Sequence, residues 1–240
     1  WLAQDPASRW DAPVSDGNQR WHDLWLAAEQ RVQQRLDQVL PAQGVSEPGL
    51  ARSLSRALPA DWSVMLASSS PVRDWESFSA SDAPCRSIYG FRGASGIDGT
   101  LSLAAGLATS SGPLLLLSGD LALLHDANGW LWLQQLRERG AQLTVVMVDN
   151  GGGGIFEQLP IRPALDFERL FAMPQALDHQ RWAEGYGIPS QCVQSLEALP
   201  QALAWAQGQA LSLLVVQTDR QADAQLRQSL RRTMVELATR

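Results

Sequence analysis

Four short, predominantly apolar runs, at positions 62–67, 114–118, 143–148 and 211–217, constrain this chain more than any other feature. Runs of that length, without the polar alternation of a one-sided strand, are the pattern of strands buried on both faces. Helix-length segments accompany them near 97–110, 128–139, 178–186 and 195–207. Strand and helix in turn, joined by right-handed crossovers, predict an α/β fold: a doubly wound parallel sheet with helices on both faces. Ligands of such sheets bind beyond the carboxyl ends of the strands. The segments that follow positions 67, 118 and 148 are therefore where function is to be sought.

Ahead of the first run, Trp21, Leu24, Trp25, Ala28, Val32, Leu36 and Val39 recur at helical spacing and predict an amphipathic helix over 19–40, its tryptophans serving packing. The Pro/Gly-rich stretch 41–49 reads as a linker and domain boundary, with Ser46 placed to cap a helix running to Leu58. A last helix, with Arg-rich and apolar faces, is expected from about Ala222 to Thr239. The chain opens at Trp1, without Met, in a segment that reads like the middle of a domain; an incomplete chain is expected.

Composition removes several functions. A net charge of -6 and a pI near 5.0 oppose sequence-independent nucleic-acid binding, which needs a basic surface. All 19 basic residues are Arg, so neither a Schiff-base lysine nor a P-loop lysine exists here. Cys85 and Cys192 are isolated, suggest neither zinc nor a disulfide, and are expected in the core. The longest apolar run is far short of the roughly 20 residues that span a bilayer, and no signal peptide is evident, so a cytoplasmic location is expected.

The second strand runs into Gly119-Asp120-Leu121, and the third into Asp149-Asn150 followed by four glycines, Gly151 to Gly154. A carboxylate, an amide oxygen and a freed carbonyl are the hard ligands that octahedral magnesium takes, and consecutive glycines let backbone approach a diphosphate. A Gly-Asp pair or a glycine run alone is ordinary turn chemistry. Together they carry more, because Asp120 and Asn150 lie 30 residues apart, room for one helix and one strand, and so belong to adjacent crossovers.

This pairing resembles the signature of thiamine diphosphate enzymes, which opens with Gly-Asp and closes with Asn; here the spacing is long, and Leu121 stands where a third glycine is usual. Within that superfamily, GDL, then HDANG, then NGGGGIFEQLP, resembles the 2-succinyl-5-enolpyruvyl-6-hydroxy-3-cyclohexene-1-carboxylate (SEPHCHC) synthase family, the MenD family. Residues 92–99, RGASGIDG, are similar to a further family element, and Ser69 and Arg73 stand where the family has a serine and an arginine.

The resemblance implies the thiamine diphosphate-binding fold. Residues 1–45 would be the tail of a middle domain plus linker, and 46–240 the domain that binds diphosphate and magnesium. It implies magnesium, or manganese, held by Asp120, Asn150 and the Gly152 carbonyl, with Gly119 and Leu121 at the diphosphate and Ile97 propping the cofactor in its V shape. Ser69, Arg73 and Arg92 would hold substrate carboxylates, as guanidinium chemistry favours, while Ile155, Phe156 and Leu159 would form an apolar wall. Each apolar residue of that set is also compatible with a plain core role. His125 is read as loop support, Asp126 and Asn128 as caps of the helix beginning there, Asp98 as orienting a helix start, and His22 and His179 as surface residues.

The reaction implied is decarboxylation of 2-oxoglutarate and addition of the resulting carbanion to isochorismate, giving SEPHCHC for menaquinone or phylloquinone synthesis. No catalytic residue is expected in this chain. The activating glutamate of the family belongs to an N-terminal pyrimidine-binding domain, which the segment before Trp62 is too short to form, so the chain would hold half a site of a homodimer or homotetramer. Two alternatives stand beside this reading: another thiamine diphosphate-dependent decarboxylase or acetohydroxyacid synthase-type enzyme, and a non-catalytic fragment that keeps the fold.

Overall fold

The computed structural model describes residues 16–91, 93–162 and 165–238. In chain order these form α1 (Asp16–Val39), α2 (Glu47–Ala57), β1 (Ser63–Leu66), α3 (Ser70–Phe78), β2 (Ile88–Gly90), α4 (Thr100–Ser110), β3 (Leu114–Gly119), α5 (Asp120–His125), α6 (Leu133–Glu138), β4 (Leu143–Asp149), α7 (His179–Gly185), β5 (Ser190–Val193), α8 (Leu199–Gln207), β6 (Leu211–Gln217) and α9 (Arg220–Ala238). Single turns of tighter or wider helix, Ala127–Trp132, Gly154–Gln158 and Glu168–Ala172, fill three of the connections.

The six strands are parallel in the order β2-β1-β3-β4-β6-β5. Successive residues of each central strand face opposite sides and feed two separate cores. Met65, Leu116, Val145, Met147 and Leu213 pack under α4 and α7 with the buried Trp130. Val64, Leu66, Leu115, Val146 and Leu214 pack under α2, α3 and α8. Both faces are covered, which is why the four runs carry no polar alternation. The four correspond to β1, β3, β4 and β6.

β2 and β5 escape the sequence reading because they are edge strands, short and partly exposed (IYG and SQCV), with no apolar run to mark them. Cys85 and Cys192 are exposed; Cys192 lies on the edge strand β5, and neither is a core thiol. His179 opens α7 buried, 5% accessible, against the surface position expected for it.

Ser46 caps α2, accepting the Gly49 N–H at 3.2 Å. The stretch 41–49 holds a single turn, Pro41–Gln43, and then the buried first turn of α2. α1 is tied back to α2, because Arg52 donates to Asp37 Oδ1 (2.7 Å) and Gln33 Oε1 (2.8 Å). Its C-terminal part buries Leu36 and Leu40 with Phe78 and Leu230. The Trp21–Trp25 pair instead stacks ring on ring, more than 60% exposed, and joins no core cluster among the described residues. Asp126 caps a helix other than the one expected: it accepts from the N–H and hydroxyl of Ser102, in the first turn of α4. Asn128 is exposed, and Asp98 is exposed beside an entry to α4 made by Gly99 in the left-handed conformation.

Among the described residues no helix is long and apolar enough to cross a membrane.

Candidate functional site

β1 and β3 are neighbours whose chains leave in opposite directions along the sheet, and the crevice at their carboxyl ends is where such a fold places ligands. β3 ends at Gly119, and Asp120 opens α5, which plants a carboxylate 2% exposed at that edge. The Leu121 N–H donates to Asp120 Oδ1 at 2.8 Å. Burial nonetheless dominates and raises the Asp120 carboxyl to about 6, with the Asp149 carboxylate pushing the same way and the Leu121 and Gly152 N–H groups opposing.

Beside it, His179 Nε2 lies 3.7 Å from Asp149 Oδ1 and holds the Asp149 carboxyl below the usual carboxylate range. Ligand atoms of Asp120, Asp149 and His179 lie within 4.8 Å of one another. His179 does not stand out in the sequence as part of a site, and Asp149 is read there only as the strand end before Asn150, since the pairing joins the end of β4 to α7 across the sheet edge.

Asn150 follows β4. Its Nδ2 donates to Glu47 Oε1 at 2.6 Å, while its Oδ1 is buried without a partner among the described residues. The glycines beyond it are required by space. A side chain at Gly152, where φ is 113°, would strike the Ala172 carbonyl, and one at Gly154 would come within 2.6 Å of Asn150 Nδ2. Arg220 clamps the run from outside, donating to the Gly151 carbonyl (2.6 Å), to Glu157 (2.9 Å) and to Glu168. The Gly152 carbonyl accepts the Gly154 N–H at 2.8 Å, which leaves it a second lone pair.

After β1, Ser69 sits at φ 82°, a conformation rare outside glycine and of the kind that gathers at ligand sites. Arg73 donates to the Ser69 carbonyl at 2.7 Å and is exposed. The hydroxyls of Ser68 and Ser70 are buried without partners among the described residues.

These three strand ends surround one cavity of about 370 Å3. Hydroxyls and Arg73 line one side, Asp120, Asn150, Glu47 and the glycines another, and Ile97, Val148, Ile155 and Phe156 supply apolar surface. The donor set suits a hard divalent cation: a buried carboxylate, an orphaned amide oxygen and a carbonyl with a free lone pair. The close glycine backbone suits a diphosphate.

No protein-family model matches the chain. Among curated proteins it is 56% identical over 211 residues (86% of the chain) to the SEPHCHC synthase of Synechococcus sp. (strain RCC307). It is 47% identical over 235 residues (96% of the chain) to that of Synechococcus sp. (strain CC9902), and 52% identical over 211 residues to that of Prochlorococcus marinus (strain MIT 9313). Over most of its own length the chain is therefore similar to SEPHCHC synthases, at 47% to 56% identity. The matched part is 36% to 40% of these relatives' length.

Solved structures agree on the fold: benzoylformate decarboxylase from Polynucleobacter necessarius (TM-score 0.59, 23% identity, 72% of this chain and 33% of that one) and a proposed thiamin diphosphate-dependent enzyme from Mycobacterium smegmatis (TM-score 0.57, 23% identity, 73% and 32%).

Of the residues singled out on family resemblance, Ser69, Arg73, Ile97, Gly119, Asp120, Leu121, Asn150, Gly152, Ile155 and Phe156 all line the one cavity. Leu159 does not; it is 45% exposed beyond the turn Gly154–Gln158. Arg92 lies outside the described residues. His125 is exposed and absent from the cavity wall. Glu47 is the residue the sequence reading passed over entirely. It sits 103 positions before Asn150, and its only local signal was an acidic side chain in the first turn of α2.

Proposed function

We propose that residues 46–240 form the diphosphate- and magnesium-binding domain of a thiamine diphosphate-dependent synthase. The whole protein then decarboxylates 2-oxoglutarate and adds the resulting carbanion to isochorismate, giving SEPHCHC. The observation that carries this reading is the pairing, on one cavity, of buried Asp120 with an Asn150 amide oxygen that has no partner among the described residues. Identity of 47% to 56% to proteins named for that activity supports the substrates.

In this reading Asp120, Asn150 and the Gly152 carbonyl hold Mg2+ or Mn2+, and the backbone at Gly119 and Leu121 meets the diphosphate. When bound, thiamine diphosphate supplies the electron sink for a decarboxylative carbon–carbon bond formation. Ile97, on the same cavity wall, would supply an apolar contact to the cofactor. Arg73 and Arg92, with Ser69, grip substrate carboxylates through charge-assisted hydrogen bonds. Ile155 and Phe156 keep water from the reacting carbons, and Leu159 borders that wall. The activating glutamate comes from a further domain of a cytoplasmic homo-oligomer.

Two measurements test this. Titration of thiamine diphosphate and Mg2+ into the chain is expected to show metal-dependent binding that Asp120→Ala abolishes; no binding assigns the chain to a non-catalytic scaffold, and binding indifferent to that change moves the metal away from Asp120. In a protein of the relatives' full length, 2-oxoglutarate is expected to be consumed with isochorismate in preference to pyruvate. The reverse preference assigns an acetohydroxyacid synthase-type reaction.

A further inference from the structure

Behind the metal-ligand candidates lies an ionic cluster that the proposed chemistry does not use. Glu47, Asp74 and Arg227 are each 3% to 4% exposed and come from α2, α3 and α9. Arg227 donates through Nε and Nη2 to both oxygens of Asp74, at 2.8 and 2.5 Å, and through Nη2 to Glu47 Oε2 at 2.6 Å. Asp223, also buried, accepts the Glu47 N–H at 3.1 Å. One oxygen of Glu47 is thus committed to the guanidinium, and the other is left facing Asn150.

We infer that Glu47 is the positioning residue that sets which end of the Asn150 amide is offered as a ligand. A primary amide can present either its oxygen or its NH2, and only the oxygen can bind a cation. A carboxylate accepts and does not donate, so Glu47 Oε1 binds the NH2 end at 2.6 Å and leaves Oδ1 without a partner among the described residues. Arg227 makes this arrangement one-directional, because its guanidinium has only donors and holds the other carboxylate oxygen. Polar groups one shell out from a metal commonly orient its ligands in this way. The inference rests on the reading of Asn150 as a metal ligand and adds the group that orients it.

The chemistry makes a reciprocal test possible. In Glu47→Gln the size is kept, but Arg227 selects the amide oxygen of the new side chain and turns its NH2 toward Asn150. Asn150 must then answer with its own oxygen and present NH2 to the cation. Adding Asn150→Asp restores an acceptor facing that NH2 and returns an oxygen to the cation. Mn2+ is titrated into the chain with thiamine diphosphate in excess, free Mn2+ is read by electron paramagnetic resonance, and folding is followed by circular dichroism.

Expected is a Kd for Mn2+ raised about tenfold or more in Glu47→Gln, and brought back to within about threefold of the unsubstituted chain in the double variant. A Glu47→Gln chain that binds Mn2+ as the original does, or a double variant no tighter than the single, overturns the inference. If Glu47→Gln alone fails to fold, the double variant decides: restored Mn2+ binding supports the inference, and a double variant that also fails to fold gives Glu47 a purely structural role. Absence of Mn2+ binding by the unsubstituted chain is a different result, which removes the cofactor reading itself and this inference with it.

Discussion

The two sides of the cavity are built in opposite ways. On the side of β3 and β4, Asp120 is 2% exposed, the glycines are pressed against the Ala172 carbonyl, Arg220 clamps Gly151, and Glu47 and Arg227 brace Asn150 from behind. On the side of β1, among the described residues, Arg73 is exposed and donates only to the Ser69 carbonyl just ahead of its helix, while Ser68 and Ser70 keep unpartnered hydroxyls. A wall whose backbone and side chains are braced, with the Asn150 amide oxygen left open, suits a group that stays bound. An open wall with spare donors suits molecules that come and go. The contrast is thermodynamic as well, for the fastened wall holds carboxyls whose burial works against their ionisation.

The largest effect that would break this comparison is at the glycine run. Gly152→Ala drives a methyl into the Ala172 carbonyl at a φ of 113° and is expected to cost on the order of 3 kcal/mol of stability and to abolish metal-dependent cofactor binding. A melting temperature unchanged by the substitution would show the wall to be pliable.

Asp223 sharpens the thermodynamic half. Burial first, and the neighbouring Glu47 carboxylate second, push its carboxyl from 3.8 up to about 7. The folded chain therefore binds this proton more tightly than the unfolded chain. Its contribution to stability is complete below pH 4 and is lost as pH rises toward 7. Asp223→Asn, which mimics the protonated form, is expected to lack that decline and to exceed the unsubstituted chain at pH 8 by on the order of 2 kcal/mol. Chemical denaturation at pH 5 and pH 8 reads the difference, and parallel curves for the two proteins would refute it.

Asp120→Asn should show a smaller gain of the same sign, on the order of 1 kcal/mol without metal at pH 8, because ionising a carboxyl raised to about 6 is costly there. Metal binding should be lost in the same variant. A gain in stability with loss of binding is the mark of a site strained toward its ligand.

The open wall should give the smallest effect on folding. Arg73→Ala is expected to change stability by less than about 0.5 kcal/mol. In a protein of the relatives' length it should raise KM for the carboxylate substrate it contacts at least tenfold, consistent with the worth of a lost charge-assisted hydrogen bond. An unaltered KM would move that substrate elsewhere.

Legibility in the sequence followed the same divide between local and distant chemistry. Asp120, Asn150 and the glycines announce themselves because residues adjacent in sequence do the work: a strand end, a ligand and a turn within a few positions. β2 and β5 did not, since an edge strand is specified by a neighbour's free hydrogen-bonding edge and needs no apolar run of its own. The tryptophans of α1 misled for a related reason. Trp21 and Trp25 share a periodic stripe with Leu36, yet Leu36 is fully buried against α9 and the tryptophans are exposed. Period specifies a face, and only the packed chain specifies whether anything lies against it.

The sequence by itself determined the parallel α/β layering, the four central strands and the residues at their carboxyl ends, because hydrophobic period and turn chemistry act over a few residues. Only the tertiary structure decided that Glu47 reaches Asn150 across 103 positions, that His179 is buried beside Asp149, and that one arginine on α9 braces acids from two other helices. Those contacts join segments whose spacing in sequence carries no signal. They form because a buried polar group must find a partner wherever the fold supplies one, and the fold is what brings these partners within reach.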